Sequence, residues 1–358
     1  MIKRSIGICV LVANATLVAC LQAGAGQGYP SGRIAYLSTR DGQQGIFIMN
    51  ADGSGQRRVT TGADLFHSWS PDGCRIVFRR QLAQIMIVGT DDTPPRLVVQ
   101  TRGGDPAGDM RAYASPDSSR VVFTGRMPGV GGGKDIWVVN ADGSALTNLT
   151  NAAQPQEEYY DARWSPDGTW ILFDTNGVRG MSVMRADGTA RRRLAEGVTG
   201  FWSSNSARVL ALTPGGLKAI EVDGPPLPRP TAPAQATVRI LWSVSPDASR
   251  LAFVAAQPDD TVSINVMNSD LTGERSVAKL SGQDIALYMA GPSSMPPSWS
   301  PDGSRLAFSR SAVRQLPNGG GAAGADVFAV NADGSGLTQL THDGQSVAPA
   351  WSGTSTCR

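Results

Sequence analysis

The chain has 358 residues, of which 41% are hydrophobic and only 17% are charged. One domain can absorb this length, and the hydrophobic fraction is sufficient for a packed core. The 42 glycines and 23 prolines lie between short β-branched segments, a distribution typical of many tight turns and therefore of an all-β fold. The formal charge is only +2, and it vanishes if Lys3 and Arg4 are removed. This balance excludes the clustered positive charge that nucleic-acid binding requires.

The first residues have the pattern of an export signal. Lys3 and Arg4 precede an apolar segment, Ile6 to Ala19, which is too short to span a bilayer as a helix. It ends in Leu-Val-Ala-Cys, similar to a bacterial lipobox, which predicts a signal peptide over residues 1–19 and a lipid on Cys20. We expect a periplasmic lipoprotein of the outer membrane, with residues 20–32 as a linker. An Ala-Gly-Ala at residues 23–25 leaves open ordinary cleavage, which would give a soluble periplasmic or secreted protein.

A repeat in two halves runs through the rest of the chain. The first half is Trp-Ser-Pro-Asp-Gly followed by a short apolar segment, and the second half is Asn-Ala-Asp-Gly-Ser. Clear or weakened copies of the first half occur at residues 69–73, 115–117, 164–168, 202–203, 245–247, 299–303 and 351–352, and copies of the second at 50–55, 140–144, 186–188 and 331–336. A period of roughly 40 to 50 residues is typical of β-propeller blades.

Each repeat predicts one blade of four short strands, with Pro-Asp-Gly turning the chain between the first two. The N-terminal copy begins at Arg33 and lacks the first strand, whereas the C-terminal copy consists of that strand alone. Together they form one blade, so that strands from both termini close the ring and remove its exposed sheet edges. We therefore predict an all-β, seven-bladed propeller over residues 33–352 and a tail at 353–358, with six blades as the alternative.

These repeats resemble the WD40-like (PD40) propeller repeat of TolB and its relatives over nearly the whole mature chain. The resemblance implies a cell-envelope protein that binds other proteins. Two departures are apparent. TolB has a separate N-terminal domain, which we do not expect here, and its propeller has six blades where this repeat predicts seven. The sequence therefore favours a TolB-like propeller over TolB itself.

The recurrent tryptophans and aspartates have structural interpretations. The tryptophans stand just before a turn, which favours packing between neighbouring blades over carbohydrate stacking; they are Trp69, Trp164, Trp299 and Trp351. The aspartates lie within turns that lack the alternating oxygen ligands of a calcium loop, which favours turn capping; they are Asp52, Asp72, Asp142, Asp167, Asp302 and Asp333.

No catalytic constellation is evident. His67 and His342 are the only histidines, too few for the usual zinc or manganese centre, and no Gly-x-Ser-x-Gly elbow is present. We expect no metal, no cofactor and no enzymatic activity. The predicted function is a monomeric, non-enzymatic scaffold that binds an envelope protein and touches the membrane only through its lipid. A propeller that binds a small molecule or glycan in its central funnel is the alternative, followed by a propeller lyase.

Two cysteines remain in the folded part, Cys74 and Cys357. Both follow the Trp-Ser of an innermost strand in neighbouring blades, which predicts a disulfide in an oxidising compartment. A separation of their Cα atoms beyond about 7 Å would exclude it.

The binding face is predicted from strand direction. The short turns of both halves of the repeat must emerge on one side of the ring, and the longer, irregular connections on the other, where recognition usually resides. We expect the partner to contact Phe66, His67, Asp109, Arg111, Glu157, Glu158, Tyr159, Tyr160, Tyr288 and His342. Tyr159 and Tyr160 are the strongest candidates because no core role is evident for them. The alternative is that all ten are simply solvated.

Overall fold

A computed structural model describes residues 32–353, with gaps at 104–110, 131, 152–157, 176–179, 197–198, 214–215, 227–237, 257–260, 271, 282–283, 285–294 and 316–320. The described residues form seven antiparallel sheets and no α-helix. Correspondingly, none of the described segments is a helix that is long and apolar enough to cross a membrane. The prediction of an all-β propeller is confirmed, with seven blades rather than six.

Six of the sheets have four strands, and the sheet of blade 4 has three within the described part of the chain. Blade 1 consists of β4 (Asp64–Trp69), β5 (Arg75–Arg80), β6 (Gln84–Gly89) and β7 (Arg96–Gln100). Blade 2 consists of β8 (Ala112–Ala114), β9 (Arg120–Gly125), β10 (Asp135–Asn140) and β11 (Thr147–Asn148). Blade 3 consists of β12 (Tyr159–Trp164), β13 (Trp170–Thr175), β14 (Gly180–Arg185) and β15 (Arg192–Glu196). Blade 4 consists of β16 (Thr199–Trp202), β17 (Arg208–Thr213) and β18 (Gly216–Glu221).

The remaining three blades complete the ring. Blade 5 consists of β19 (Val238–Val244), β20 (Arg250–Ala256), β21 (Val262–Asn268) and β22 (Arg275–Leu280). Blade 6 consists of β23 (Ser298–Trp299), β24 (Arg305–Gln315), β25 (Gly321–Asn331) and β26 (Thr338–Gln339). Blade 7 combines β27 (Ser346–Trp351) with β1 (Arg33–Ser38), β2 (Gly45–Asn50) and β3 (Arg57–Arg58), in the order β27-β1-β2-β3.

Both termini contribute to blade 7, as predicted. β27 pairs antiparallel with β1, and Ala35 lies opposite Ala350. Just beyond these strands, the amide of Ser352 donates to the carbonyl oxygen of Arg33 at 2.7 Å, and the Arg33 amide donates to the Ser352 hydroxyl at 2.8 Å. The first and last strands of the ring are thus joined over their length, which satisfies backbone groups that an open ring would leave exposed.

The Pro-Asp-Gly turns are stabilised by their own side chains. In blade 1 the amide of Arg75 donates to the Ser70 hydroxyl at 2.9 Å, and the amide of Cys74 donates to the Asp72 carboxylate at 2.9 Å. Gly73 has a φ of +66°, and Ser118 adopts +57° at the same position of the weaker copy in blade 2. These contacts confirm that the aspartate acts as a turn cap.

Tryptophans join four of the blades to the blade that precedes each of them. The indole nitrogen donates to a backbone carbonyl oxygen of the neighbouring innermost strand in four blades: Trp69 to Ala350 at 2.8 Å, Trp164 to Tyr113 at 3.3 Å, Trp202 to Arg163 at 3.3 Å and Trp299 to Ser243 at 3.4 Å. An arginine from the preceding blade also covers several of these rings, as Arg120 covers Trp164 at 4.8 Å. The predicted packing of tryptophan between blades is confirmed.

The core lies between the blades as a series of apolar layers. One layer brings Val122 and Ile136 of blade 2 against Trp164, Ile171 and Phe173 of blade 3. Each sheet is buried on both faces because a blade lies on either side of it, so the middle strands contain nearly continuous apolar residues instead of a strict alternation.

Strand pairing also defines the two sides of the ring. In blade 1, Trp69 at the end of β4 pairs with Ile76, and Ile76 pairs with Val88 near the end of β6. The Ser-Pro-Asp and Asn-Ala-Asp-Gly turns therefore emerge together, on what we call the turn side. The connections from β5 to β6 and from one blade to the next emerge on the opposite side, which we call the loop side.

Candidate functional site

The innermost strands of successive blades surround the axis of the ring. β27 contacts β4, β4 contacts β8, and β8 contacts β12, while β19 contacts β23 and β23 contacts β27. Each of these strands ends at the residue before the serine of the Ser-Pro-Asp turn or its weakened copy, so positions can be compared by counting back from that serine. These strands line a central channel.

Solvent exposure shows which residues of the inner strands face this channel. The residue three positions before the turn serine is buried in five blades; these are His67, Ala112, Ala162, Pro297 and Pro349. The residue two positions before it retains contact with solvent in six blades; these are Ser68, Tyr113, Arg163, Ser243, Ser298 and Ala350. Because side chains alternate between the two faces of a strand, the second group points into the channel.

Blades 2 and 3 depart from the repeat at the channel. At four and two positions before the turn serine, blade 7 has Ala348 and Ala350, and blade 6 has Pro296 and Ser298. The corresponding pairs are Arg111 and Tyr113 in blade 2 and Asp161 and Arg163 in blade 3. Charged residues occur at these two positions only in blades 2 and 3. Since the repeat forms the other blades without them, these charges indicate a function other than folding. We refer to Arg111, Tyr113, Asp161, Arg163 and the neighbouring Asp174 of β13 as the channel cluster.

Arg163 and Asp161 form the centre of the channel cluster. The guanidinium of Arg163 donates two hydrogen bonds to the Asp161 carboxylate, at 3.1 Å from Nε and 2.5 Å from Nη2. The hydroxyl of Tyr113 donates to the same carboxylate at 3.3 Å, and the Arg163 guanidinium lies 5.6 Å from the Tyr113 ring centroid. The Arg163 and Asp161 side chains are still 30% and 28% exposed, so the pair is accessible from the channel.

The carboxyl groups of the channel cluster differ in protonation. Burial raises the pKa of Asp161, but Arg163, Arg111 and the hydrogen bonds outweigh it and hold that pKa below its usual range. Burial raises the pKa of Asp174 to about 7, and the charge of Asp161 adds to the increase, while Arg163 partly offsets it. The cluster therefore has two guanidinium charges, one carboxylate charge and one carboxyl group that ionises near neutral pH.

A second polar group lies next to the cluster on the loop side. Glu158 forms an ion pair with Arg126 and accepts a hydrogen bond from the Tyr160 hydroxyl. The ammonium of Lys134 lies 4.6 Å from the centroid of the Tyr160 ring. We call Arg126, Lys134, Glu158 and Tyr160 the mouth group. Arg126, Glu158 and Tyr160 retain contact with solvent, whereas Lys134 is buried beneath them at 5% exposure.

Some predicted partner-binding residues lie in these two groups, and others do not. Arg111 belongs to the channel cluster, Glu158 and Tyr160 belong to the mouth group, and His342 is exposed on the loop side. Asp109, Glu157 and Tyr288 lie outside the described residues, and the side chain of Phe66 does as well.

Two predicted contact residues are buried in the core, which is a correction. His67 was expected in a loop, but it lies within β4, is 2% exposed and has its Nε2 3.3 Å from the carbonyl oxygen of Ala35. Tyr159 was expected to lack a core role, but it is 2% exposed and packs edge-on against Phe173 at 5.8 Å. Its hydroxyl accepts a hydrogen bond from Arg191 at 2.5 Å. Neither side chain is available to a partner on the surface.

Sequence reasoning missed Tyr113, Asp161, Arg163 and Asp174. The sequence does contain a signal for the inner-strand residues of this set. When the inner strands are aligned on their turn serines, charged residues at two and four positions before that serine occur only in blades 2 and 3. Among the described residues, no group of three or more His, Cys, Asp or Glu side chains is placed to hold a metal ion.

A disulfide involves Cys74, which immediately precedes β5 of blade 1 on the turn side. Cys357 and Cys20 lie outside the described residues, so the pairing of Cys74 with Cys357 stays a prediction, as does the lipid on Cys20. A cavity of about 390 Å³ lies beside Cys74, lined by Arg75, Asp91 and Arg96 among others.

Comparison with known proteins adds to the assignment of the fold. No protein-family model matches the chain, and no curated protein does. Among solved structures, TolB from Acinetobacter baumannii is 16% identical, with a TM-score of 0.53 over 91% of this chain and 68% of that one. An oligogalacturonate lyase from Vibrio parahaemolyticus is 12% identical, with a TM-score of 0.58 over 84% of this chain and 86% of that one. A puromycin-hydrolysing peptidase from Mycobacterium tuberculosis is 15% identical, with a TM-score of 0.53 over 88% of this chain and 54% of that one.

Proteins with different activities share this architecture, and at these identities the likeness concerns the fold alone. The repeat, the ring closure and the structural neighbours agree: this chain has the fold of a TolB-like β-propeller, with seven blades.

Proposed function

We propose that this protein is a non-enzymatic scaffold of the cell envelope that binds a protein partner through its loop side and the mouth of its channel. The observation that carries the proposal is the departure of blades 2 and 3 from the repeat, which concentrates charged and aromatic side chains at one sector of the loop side. Aromatic residues and arginines are the side chains that contribute most often to binding energy at protein interfaces.

The mouth group has the chemistry of such an interface. Its side chains are connected to one another: Arg126 forms an ion pair with Glu158, and the Tyr160 hydroxyl donates a hydrogen bond to the same carboxylate. Arg126 remains 34% exposed at its side chain, and Glu158 17%. A partner that contacts this surface meets polar groups that are already oriented, which reduces the entropy lost on binding.

The position of the N-terminus bears on how the loop side would be oriented relative to the membrane. β1 begins at Arg33 on the turn side, where the Arg33 side chain also donates to the carbonyl oxygen of Gly73 at 3.0 Å. A lipid on Cys20 would therefore be attached to the turn side through a linker that extends to about 40 Å. The loop side would then face away from the membrane, toward partners in the periplasm.

Site-specific photo-crosslinking in cells tests this proposal. A photoreactive residue at Val130 or His342 on the loop side should give crosslinks to a discrete protein, whereas one at Asp142 or Asp333 on the turn side should not. Crosslinking from His342 should fall at least about tenfold when Tyr160 is replaced by Ala. Crosslinks confined to the turn-side positions would show that the wrong face has been assigned.

A second candidate is proton-transfer catalysis in the channel, and it rests on Asp174. A carboxyl group with a pKa of about 7 near Arg163 suits general acid-base chemistry. One structural neighbour is an oligogalacturonate lyase. Incubation with oligogalacturonate, with ultraviolet detection of unsaturated product, tests this candidate. Product formation that depends on Asp174 would favour an enzyme over a scaffold.

A further inference from the structure

We propose that the outer edge of β18 in blade 4 binds an extended segment of a protein partner, which adds a fourth strand to this sheet and places an acidic side chain opposite Lys218. This edge lies on the circumference of the ring, apart from the loop side and the mouth of the channel. It is therefore a second binding surface, and it does not depend on the function proposed above.

The third strand of blade 4 is uncovered at a place where the other blades cover theirs. Within the described part of the chain, β18 pairs with β17 and is the last strand of its sheet. Lys218 and Ala219, near the middle of this six-residue strand, are exposed. The residues equivalent to Lys218, three positions before the end of the third strand, are at most 9% exposed in the other six blades; they are Phe47, Met86, Trp137, Ser182, Asn265 and Phe328.

The register of the repeat shows where a fourth strand belongs. In each of the other six blades the fourth strand begins seven positions after the third strand ends, as Arg57 follows Asn50 in blade 7. Its first residue pairs with the residue two positions before that end, as Arg57 pairs with Ile48. The same register in blade 4 would place Pro228 opposite Ala219 and Arg229 opposite Lys218.

The sequence that follows β18 does not suit this place. In three blades the amide of the third residue of the fourth strand donates across the sheet, at 2.8 to 2.9 Å; these bonds run from Val59 to Ile46, from Leu149 to Ile136 and from Leu340 to Val327. Blade 4 has Pro230 at this position and Pro228 two positions earlier, and proline has no amide hydrogen to donate. Arg229 would also meet Lys218, and like charges directly opposite each other destabilise a strand pair.

The backbone of β18 offers the groups that a partner strand needs. Leu217 is the equivalent of Ile46, whose carbonyl oxygen accepts from the fourth strand of its blade. Since the direction of backbone groups alternates along an antiparallel strand, the amides and carbonyl oxygens of Leu217 and Ala219 point away from β17. Extended peptides bind sheet edges through such main-chain groups, while the side chains along the edge provide specificity.

The charge on this edge selects the partner. Lys218 is exposed on β18, so an acidic residue directly opposite it stabilises the added strand. Antiparallel pairing with β18 of a second copy, centred on the middle of the strand, would instead bring two lysines together. The edge therefore suits a different protein chain with an acidic extended segment.

Hydrogen exchange resolved to single amides tests whether the edge is open and whether a strand can cover it. In the protein alone, we expect the amides of Leu217 and Ala219 to exchange at least about tenfold faster than those of Lys218 and Ile220, which point toward β17. A short peptide of alternating valine and threonine with one central glutamate should slow the exchange of Leu217 and Ala219 at least about tenfold. Slow exchange without the peptide would show that the chain covers its own edge, and slow exchange only at high protein concentration would show pairing of two copies. Either result overturns the inference.

Fluorescence anisotropy of the same peptide at low ionic strength tests the role of Lys218. Lys218→Glu should weaken binding of the glutamate peptide about fivefold and strengthen binding of a peptide with lysine in its place by a similar factor. Ala219→Pro should weaken binding of both peptides at least about tenfold, because it removes an outward amide without removing a bond to β17. Lys279→Glu is the matched control and should bind as wild type does, since Lys279 is exposed on β22, the outer strand of blade 5.

Three results of the peptide titration would overturn the inference. They are absence of binding, equal binding of the glutamate and lysine peptides by the wild type, and an unchanged preference in Lys218→Glu. Because Lys218 is exposed, this variant keeps the test valid if Ala219→Pro does not fold. Photo-crosslinking from Val130 and His342 reports on the loop side alone, so failure at the β18 edge is distinguishable from failure of the proposed function.

Discussion

The indole nitrogen of Trp69 donates a hydrogen bond of 2.8 Å to the backbone carbonyl oxygen of Ala350, although the two residues are 281 positions apart. Trp69 belongs to blade 1, and Ala350 belongs to the C-terminal strand of blade 7. The same kind of bond joins blades 2 and 3, where Trp164 donates to Tyr113. Tryptophan at this position of the repeat therefore joins neighbouring blades both within the ring and at the point where blades 7 and 1 meet.

This relationship predicts a large cost for removing the equivalent tryptophan of the closing strand. Trp351 is 7% exposed and lies under the guanidinium of Arg305 at 5.6 Å. Replacing Trp351 with Ala should lower the free energy of unfolding by about 3–5 kcal/mol, measured by urea denaturation. Leu337→Ala is the control, since Leu337 is 45% exposed and its loss should matter by less than about 0.5 kcal/mol. Equal stability of the two variants would show that ring closure does not depend on this packing.

A second prediction concerns the disulfide of Cys74. Gly353 lies beside the turn that bears Cys74, since a Cβ at Gly353 would be 2.9 Å from the carbonyl oxygen of Pro71. Cys357 follows four residues later, within a reach of about 13 Å. Peptide mapping without reduction should recover Cys74 linked to Cys357. Cys74→Ser and Cys357→Ser should lower stability equally, by about 2–4 kcal/mol, and the double variant should lose no more. Two free thiols in the denatured, unreduced protein would exclude the bond.

Acid stability should depend on His67. Burial lowers the pKa of His67 to about 4, whereas the unfolded chain has the ordinary value of about 6.5. Protonation of His67 thus favours the unfolded chain. The free energy of unfolding is therefore highest above about pH 6.5, and it decreases by on the order of 3 kcal/mol as the pH drops toward 4. His67→Gln should remove this decrease, while His342→Gln, at the exposed histidine, should retain it. An identical pH profile for wild type and His67→Gln would contradict the assignment.

Asp174 should act in the opposite direction. Burial raises its pKa to about 7, so between its unfolded value near 4 and pH 7 the unfolded chain is ionised and the folded chain is not. The contribution of this group to stability is therefore lost as the pH rises through that range. Asp174→Asn should remove the loss. Asp142→Asn is the comparison, because hydrogen bonds from Ser144 hold the pKa of Asp142 low, and its contribution disappears instead in acid. Denaturation curves across this pH range would distinguish the two.

The N-terminal prediction is tested by mass spectrometry of the exported protein. We expect the mature chain to begin at a lipidated Cys20 and to fractionate with the outer membrane. Cys20→Ala should abolish the lipid and leave the propeller itself unchanged in melting temperature. A native mature chain that begins at Gly26 would instead establish ordinary cleavage after Ala25.

The repeat by itself determined the architecture. The spacing of Trp-Ser-Pro-Asp-Gly and Asn-Ala-Asp-Gly predicts blades of four strands, and the incomplete copies at Arg33 and Trp351 predict a shared seventh blade, because each motif specifies a local turn. Local turn chemistry depends on a few adjacent residues, and it repeats. The roles of Trp69 and Asp72 could be inferred for the same reason, since a residue at a fixed place in every repeat serves the fold.

Only the tertiary structure decided which individual side chains face solvent. Tyr159 and Tyr160 are adjacent in sequence, yet they point to opposite faces of β12, so Tyr159 enters the layer with Phe173 and Tyr160 reaches Glu158. A register irregularity between Tyr160 and Arg163 interrupts that alternation, so that Arg163 does not follow Tyr159 onto the buried face. Equivalent irregularities occur in the innermost strands of blades 1, 5 and 7, so the bulge itself belongs to the repeat. Which strands meet around the channel is decided by contacts between blades that are distant in sequence, and local sequence does not encode those contacts.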